Sequence, residues 1–304
     1  SLGILFERSI LLVLMSDLMS FWVVNLFLAA IFRGLLLSAF YYFYIWARCS
    51  IQPHLAPPLA DDVGPESTGE LLLMVLRSFI PPVLLIVLVL GSIFLGWATP
   101  TEAAGVGAFG AILLAIYNGK LNIPTLKDVL HRSMLTNAMI FGIFVGATCF
   151  SYVFRSLGGD EIVEDLILGT GLGDWGVLLV LMLIIFALGF FFDWLEITLI
   201  VLPVFAPIVG ALDFAGHIGF DGPGSETLIK TWFAILVAVN LQTSFLTPPF
   251  GFALFYLKGV APPQVRIGDI YLGIIPFVIL QLIGLALVMA VPAIALWLPT
   301  TLLE

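Results

Sequence analysis

Residues 21–46 form an apolar run carrying a single formal charge, Arg33. At about 1.5 Å per residue, a helix over this run exceeds the roughly 30 Å hydrocarbon core of a bilayer. Further spans are expected at residues 79–97, 138–153 and 274–297. A chain that repeatedly enters lipid must satisfy its backbone hydrogen bonds within each segment, and helices do so. With 61% hydrophobic and 10% charged residues, the sequence is too apolar for a soluble globular protein. The expected fold is all-α and polytopic.

One segment conflicts with an uninterrupted helix. Residues 240–251, NLQTSFLTPPFG, lie inside the apolar stretch 232–257. Pro248 and Pro249 have no N–H, so the carbonyls of Ser244 and Phe245 lose their i+4 donors. Thr247 precedes a proline and is pushed out of the helical region. In hydrocarbon, such free backbone is tolerated only where protein or a polar cavity receives it. Gln242, Thr243, Ser244 and Thr247 bring oxygens and hydrogen-bonding groups to the same depth. The break is either a structural proline kink or an ion or substrate site in a discontinuous helix. Sodium is a hard cation that needs several oxygen ligands, and free carbonyls with hydroxyls supply them.

A second irregularity lies upstream. Residues 176–189 are apolar, but as a helix they reach only about 21 Å, too short to cross. The polar turn FFFDWLE (190–196) follows, then a second apolar arm at 197–212. Two short arms around a polar tip suggest a re-entrant hairpin; the alternative is a pair of crossing helices with a tight loop. Asp193 can cap the second arm, with Glu196 at the reciprocal capping-box position. An intramembrane carboxylate is also a functional candidate.

The remaining segments organise the spans. A short hinge at 98–104 opens a helix to about Tyr117, with Thr101 as N-cap and Glu102 in the first turn. Ala103, Ala104, Gly107 and Gly110 are small enough for a neighbouring helix to approach closely. Residues 47–70 read as a polar, Pro-rich connection, 126–132 as an amphipathic linker, 215–231 as an external loop and 261–273 as an amphipathic arm. Arg48, Arg77, Lys120, Lys127, Arg132, Lys258 and Arg266 fall on one side of this topology, Arg155 and Lys230 on the other. The first side is cytoplasmic by the positive-inside rule.

Other function classes find little support. Cys49 and Cys149 do not make a disulfide framework or metal site, and His54, His131 and His217 are scattered through loops. A net charge of −9 points away from nucleic acid, and the acids read as solvated faces. The GLGD string at Gly171–Asp174 matches the Gly-x-Gly-Asp motif of intramembrane aspartyl proteases. Those enzymes need a second aspartate to share a proton, and no upstream membrane aspartate suits that role. A glycine-rich turn accounts for the string better, and no enzymatic activity is expected. The chain opens at Ser1 without a signal-type segment and reads as a piece whose beginning lies upstream.

Three motifs in order, GWATPTEAAGVGA (96–108), LGFFFDWLEITLIVLPVFAPI (188–208) and NLQTSFLTPPFGFALF (240–255), resemble the large membrane subunit of the tripartite ATP-independent periplasmic (TRAP) transporters. The wording of the last two motifs, with YLKGVAPPQV after them, is most similar to the mannitol and chloroaromatic branch. The resemblance covers nearly the whole chain and corresponds to roughly the C-terminal two-thirds of such a subunit. It implies an inverted-repeat, elevator-type secondary transporter with a re-entrant hairpin and a discontinuous helix, its first repeat incomplete here. Residues 1–46 would be a remnant of that repeat, 47–78 a cytoplasmic linker and interfacial arm, and 79–157 scaffold spans. The hairpin and discontinuous helix of the transport domain would occupy 158–259, and an arm helix with the last scaffold span 260–304. A weak internal echo between residues 25–37 and 269–280 fits such repeats. Two departures stand out: Glu7-Arg8 where the family's first repeat usually has Pro-Pro, and Arg33 where a proline is common.

The resemblance further implies Na+ as coupling ion with no other cofactor. The partners would be a small four-helix membrane subunit, a periplasmic substrate-binding protein, a small-molecule solute and membrane lipid, in the bacterial inner membrane. Carried onto this sequence, the ion and substrate residues are Gly189, Asp193, Asn240, Thr243, Ser244, Thr247, Pro248, Pro249 and Gly251. Ser244, Thr247 and Gly189 are the candidate Na+ ligands. The expected function is sodium-coupled transport of an organic acid. The alternatives are a stand-alone sodium-coupled carrier and a non-transporting structural fragment.

Overall fold

The computed structural model describes residues 9–20, 22–57, 67–169, 171–219, 225–248, 254, 257–258, 261–262 and 264–303. In chain order its helices are α1 (Ser9–Leu18), α2 (Val23–Ile51), α3 (Thr68–Phe94), α4 (Pro100–Tyr117), α5 (Ile123–Ser156) and α6 (Gly159–Leu168). They continue with α7 (Asp174–Leu188), α8 (Trp194–Gly210), α9 (Ala215–Ile218), α10 (Ser225–Ser244), α11 (Ile267–Ala290) and α12 (Ala293–Leu303). A 3-10 turn at Pro53–Leu55 is the other regular element, and no strand occurs among the described residues. The fold is all-α and polytopic: α2, α3, α4, α5 and α11 are long and apolar enough to cross a membrane.

Several boundaries differ from the sequence reading, each for a local reason. α3 starts at Thr68 rather than near Phe79 and runs through Pro81 and Pro82. Ser67 caps it by accepting from Glu70 N at 3.1 Å, and each proline removes only its own N–H from the ladder. α5 joins the expected linker and span into one helix of 34 residues, about 51 Å long at 1.5 Å per residue. α10 begins at Ser225, so the end of the expected external loop is helical, as is the short α9 that carries His217. The last span ends at Ala290, and Pro292 separates it from α12. The N-cap of α4 is Thr99, not Thr101. Pro100 occupies the first helical position, where no N–H is needed, and this places Glu102 third. Glu102 Oε2 then accepts from Thr99 N at 2.8 Å while Thr99 Oγ1 accepts from Glu102 N at 3.4 Å, a closed capping box.

The chain divides into two compact units, Cys49–Phe141 and the combination of Ser1–Arg48 with Gly142–Glu304. In the first, α3 packs on α4 through the predicted small residues. Ala103 is fully buried, and a Cβ at Gly107 would come within 3.2 Å of Val89 Cγ2. At Gly110 a Cβ would fall 2.3 Å from Leu85 Cδ1. The opposite faces keep large apolar side chains such as Leu73, Val87 and Phe109 exposed, which suits helices solvated by lipid.

The second unit is built around α10. From Thr231 to Ser244 every residue is buried, and α1, α7, α8, α9, α11 and α12 all pack on it. Toward its N-terminal end Trp232 meets Trp175 and Phe214 edge-on and donates from Nε1 to Val288 O at 3.0 Å. His217 Nε2 lies 2.8 Å from Met289 O beside the same cluster. The aromatic cluster and these two carbonyl contacts hold α9 and α10 to the end of α11.

Gly110→Leu should lower the thermal unfolding midpoint in detergent, by an overpacking penalty of about 1–3 kcal/mol. Gly105→Leu should leave it nearly unchanged, because nothing lies within 4 Å of a Cβ there. Equal midpoints for the two variants would contradict the close approach of α3 and α4.

Candidate ion and substrate site

α10 stops at Ser244, four residues before Pro248, the position at which the missing proline N–H first leaves a carbonyl unmatched. Asn240, Thr243, Ser244 and Thr247 follow one another at i, i+3, i+4 and i+7, which places them on one face. All four are buried, and Pro248 is half-buried. Pro249 and Gly251, like Glu7 and Arg8, lie outside the described residues.

Each hydroxyl in this row is anchored to its own helix. Thr243 Oγ1 donates to Asn240 O at 2.6 Å, Ser244 Oγ to Leu241 O, and Thr247 Oγ1 to Thr243 O at 3.1 Å. The amides of Leu246 and Thr247 both turn back to Thr243 O, each at 3.0 Å, and close the end of the helix. A hydroxyl that donates its proton in this way keeps its lone pairs, so its oxygen can still face a cation. The row is a set of fixed oxygens at a helix end.

The hairpin reaches this row. α7 and α8 are short apolar helices of 15 and 17 residues that pack on each other and on α10. Gly189 caps α7 with ordinary right-handed angles, φ −61 and ψ −14, so its small size matters rather than its backbone freedom. A Cβ there would sit 2.9 Å from Ser244 Cβ, 3.0 Å from Ser244 Oγ and 3.2 Å from Phe186 O. The hairpin tip therefore lies directly against the end of α10. Along the same face Asn240 Nδ2 donates to Met182 O of α7 at 2.6 Å.

Asp193 is the N-cap of α8, and its Oδ1 accepts from Trp194 N at 2.8 Å. The expected reciprocal box with Glu196 is not formed: Glu196 Oε2 is buried with no hydrogen-bond partner. The carboxylate of Asp193 engages the first helical N–H instead, one residue on. Gly171 adopts φ +69 ahead of Asp174 in the first turn of α7, so GLGD is a turn that leads into a helix. Two further polar groups from the sequence-predicted set lie at this end of α10. Asn240 Oδ1 and Gln242 Nε2 are both buried without partners. Gln242 was visible in the sequence as part of the polar cluster, but it lies off the face that carries the hydroxyls.

A short-armed hairpin set against an interrupted, buried helix, beside helices of membrane length, defines a polytopic membrane protein with a polar site built into its packed interior. Residues 8–294 match the family described as tripartite ATP-independent periplasmic transporter, DctM component, and the chain belongs to that family. It is 28% identical over 317 residues to the C4-dicarboxylate TRAP transporter large permease protein DctM of Rhodobacter capsulatus, covering 99% of this chain and 67% of that protein. It is 29% identical over 220 residues to the sialic acid TRAP transporter large permease protein SiaM of Vibrio cholerae, covering 70% of this chain and 46% of that protein. A putative dicarboxylate transporter subunit of Paracoccus pantotrophus is 30% identical over 219 residues, 71% of this chain and 96% of its own length. The chain thus spans about half to two thirds of the length of most of the relatives it matches.

Gly189→Ala should lower the unfolding midpoint by about 1–3 kcal/mol, since Phe186 O is backbone and cannot move aside. Adding Ser244→Gly should recover part of that loss, because Ser244 Cβ and Oγ are the two nearest atoms the new Cβ meets. Strictly additive effects in this double-mutant cycle would mean that the tip and the end of α10 are energetically independent.

Proposed function

We propose that the chain acts as the large membrane subunit of a sodium-coupled carrier of small organic acids. The observation that carries this reading is the contact of Gly189 with Ser244, which joins the hairpin tip to the buried hydroxyl row of Thr243, Ser244 and Thr247. Helix ends inside a packed membrane protein offer fixed partial charges and free carbonyls, and such ends bind coupling ions and substrate carboxylates in secondary transporters. Ser244, Thr247 and the backbone at Gly189 are the proposed Na+ ligands, and Asp193 shapes the tip as a cap. In this reading α7 and α8 form a re-entrant hairpin that moves with α10 as an elevator.

Membership of the family supports the rest of the proposal. A small membrane subunit and a periplasmic binding protein would complete the machine in the bacterial inner membrane, with no chemical catalysis. The named relatives handle C4-dicarboxylates and sialic acid, all of them carboxylates, and an organic acid is the matching substrate class. The motif wording around residues 188–208 and 240–265 favours the mannitol and chloroaromatic branch within that class.

The test is uptake of a labelled organic acid in cells or vesicles that contain the complete transporter with its partners. Uptake should require sodium. Thr247→Val keeps shape but removes one oxygen, and it should raise the half-saturating sodium concentration by roughly three- to tenfold, about the worth of one polar contact. An unchanged sodium response in Thr247→Val would return the break to a structural kink.

A further inference from the structure

Two basic residues, Arg155 and Lys230, fall opposite the cytoplasmic side of the expected topology, and both reach α8. α8 carries Pro203 and Pro207 in its interior. Pro207 has no N–H, so the carbonyl of Pro203, four residues before it, loses its donor within the helix. In a helix embedded in a membrane, an unpaired carbonyl is costly. Arg155 Nη2 supplies the missing bond, donating to Pro203 O at 3.3 Å.

The two cations hold α8 in different ways. Lys230 belongs to α10, which packs on α8. A Cβ at Gly210, the last residue of α8, would lie 3.2 Å from Lys230 Cε and 3.8 Å from its Nζ, so the ammonium sits at the negative end of that helix. Arg155 belongs to α5, and among the described residues α5 and α8 share no extended packing. Only Ala147 is buried along the whole of α5. Arg155 is itself exposed and stands one residue from the end of its helix. The bond to Pro203 is therefore the reach of one long side chain between two helices whose surfaces do not interlock.

We propose that the hydrogen bond from Arg155 to Pro203 O is a latch, which holds the second arm of the hairpin in the position of this structure and opens each time the hairpin moves. This rests on reading the chain as a carrier in which α7 and α8 travel with α10 while α5 stays with the scaffold. The contact with Lys230 then travels inside the moving body, and the bond to Arg155 spans its boundary. Pro207 is what makes the latch. A residue with an N–H at that position would let the helix satisfy Pro203 O by itself, and Arg155 would have to compete for the carbonyl. One hydrogen bond from an exposed cation is weak enough to break in every cycle, and strong enough to bias which position is populated.

The test measures the distance between spin labels on Tyr152→Cys of α5 and Ala211→Cys at the end of α8, both exposed positions. It uses the complete transporter in liposomes, with Cys49→Ser and Cys149→Ser to remove the native thiols. Two distance populations are expected, and Arg155→Met should move their ratio away from the position of this structure by roughly three- to tenfold, the worth of one such bond. Pro207→Ala should move it the same way with Arg155 intact, and combining the two should add little to either alone. Pro207→Ala also decides the matter if Arg155→Met fails to fold, because Pro207 is exposed and alanine suits a helix. Lys230→Met should lower the unfolding midpoint and leave the ratio unchanged. An unchanged ratio in Arg155→Met or Pro207→Ala, additive shifts in the pair, or an equal shift in Lys230→Met overturns the proposal. Uptake indifferent to sodium, beside a ratio that follows Arg155, would remove the coupling reading and leave the latch standing. A sodium requirement with a fixed ratio would do the reverse.

Discussion

The burial of α10 on every side is the constraint on which the second unit depends. A helix surrounded completely can carry polar residues only if their hydrogen bonds are met locally. Thr231, Thr243, Ser244 and Thr247 meet that condition by donating to carbonyls of their own helix, three or four residues back. Asn240 Nδ2 does so across the interface, through Met182 O, while Asn240 Oδ1 and Gln242 Nε2 stay unmatched. Polar side chains satisfied in this way can sit among apolar neighbours without opening the packing. They also leave oxygen lone pairs free for a cation. The same bonds that permit burial prepare the site.

The proline pair sets where this arrangement ends. Because Pro248 cannot donate, the ladder of α10 fails at Ser244, and the chain turns through 245–248. The tip of the hairpin fills the space beside that end because Gly189 has no side chain. A helix end in lipid needs a partner for its freed backbone. The short hairpin provides protein surface against that end, so the hairpin tip and the end of α10 pack as one unit.

Much of this was legible in the sequence where the controlling chemistry is local. Proline's missing N–H marks the end of α10 to the residue, the i, i+3, i+4, i+7 spacing marks the hydroxyl face, and the short apolar run before Gly189 marks a helix too brief to cross. The small-residue stripe of α4 likewise announced a close neighbour. Failures occurred where two local signals competed. Thr99 and Thr101 are both plausible caps, and only the preference of Pro100 for the first helical position selects Thr99. Pro81 and Pro82 read as a helix start, but the cap at Ser67 and the apolar residues between keep α3 continuous. At Glu196 the box spacing is present, yet Asp193 turns its carboxylate to Trp194 N and leaves Glu196 Oε2 without a bond.

Sequence by itself determined that the chain is an all-α membrane protein with a break at Pro248, because hydrophobic length and proline chemistry act over a few residues at a time. It placed Arg33 inside a span without showing its environment. Only the tertiary structure decided that Gly189 meets Ser244, that α10 is the buried centre of its unit, and that Arg33 is buried within the second unit. Those outcomes depend on which helix faces meet across hundreds of residues of chain. Apolar faces are nearly interchangeable in their local patterns, so pairing is settled by how side chains of particular size fit together.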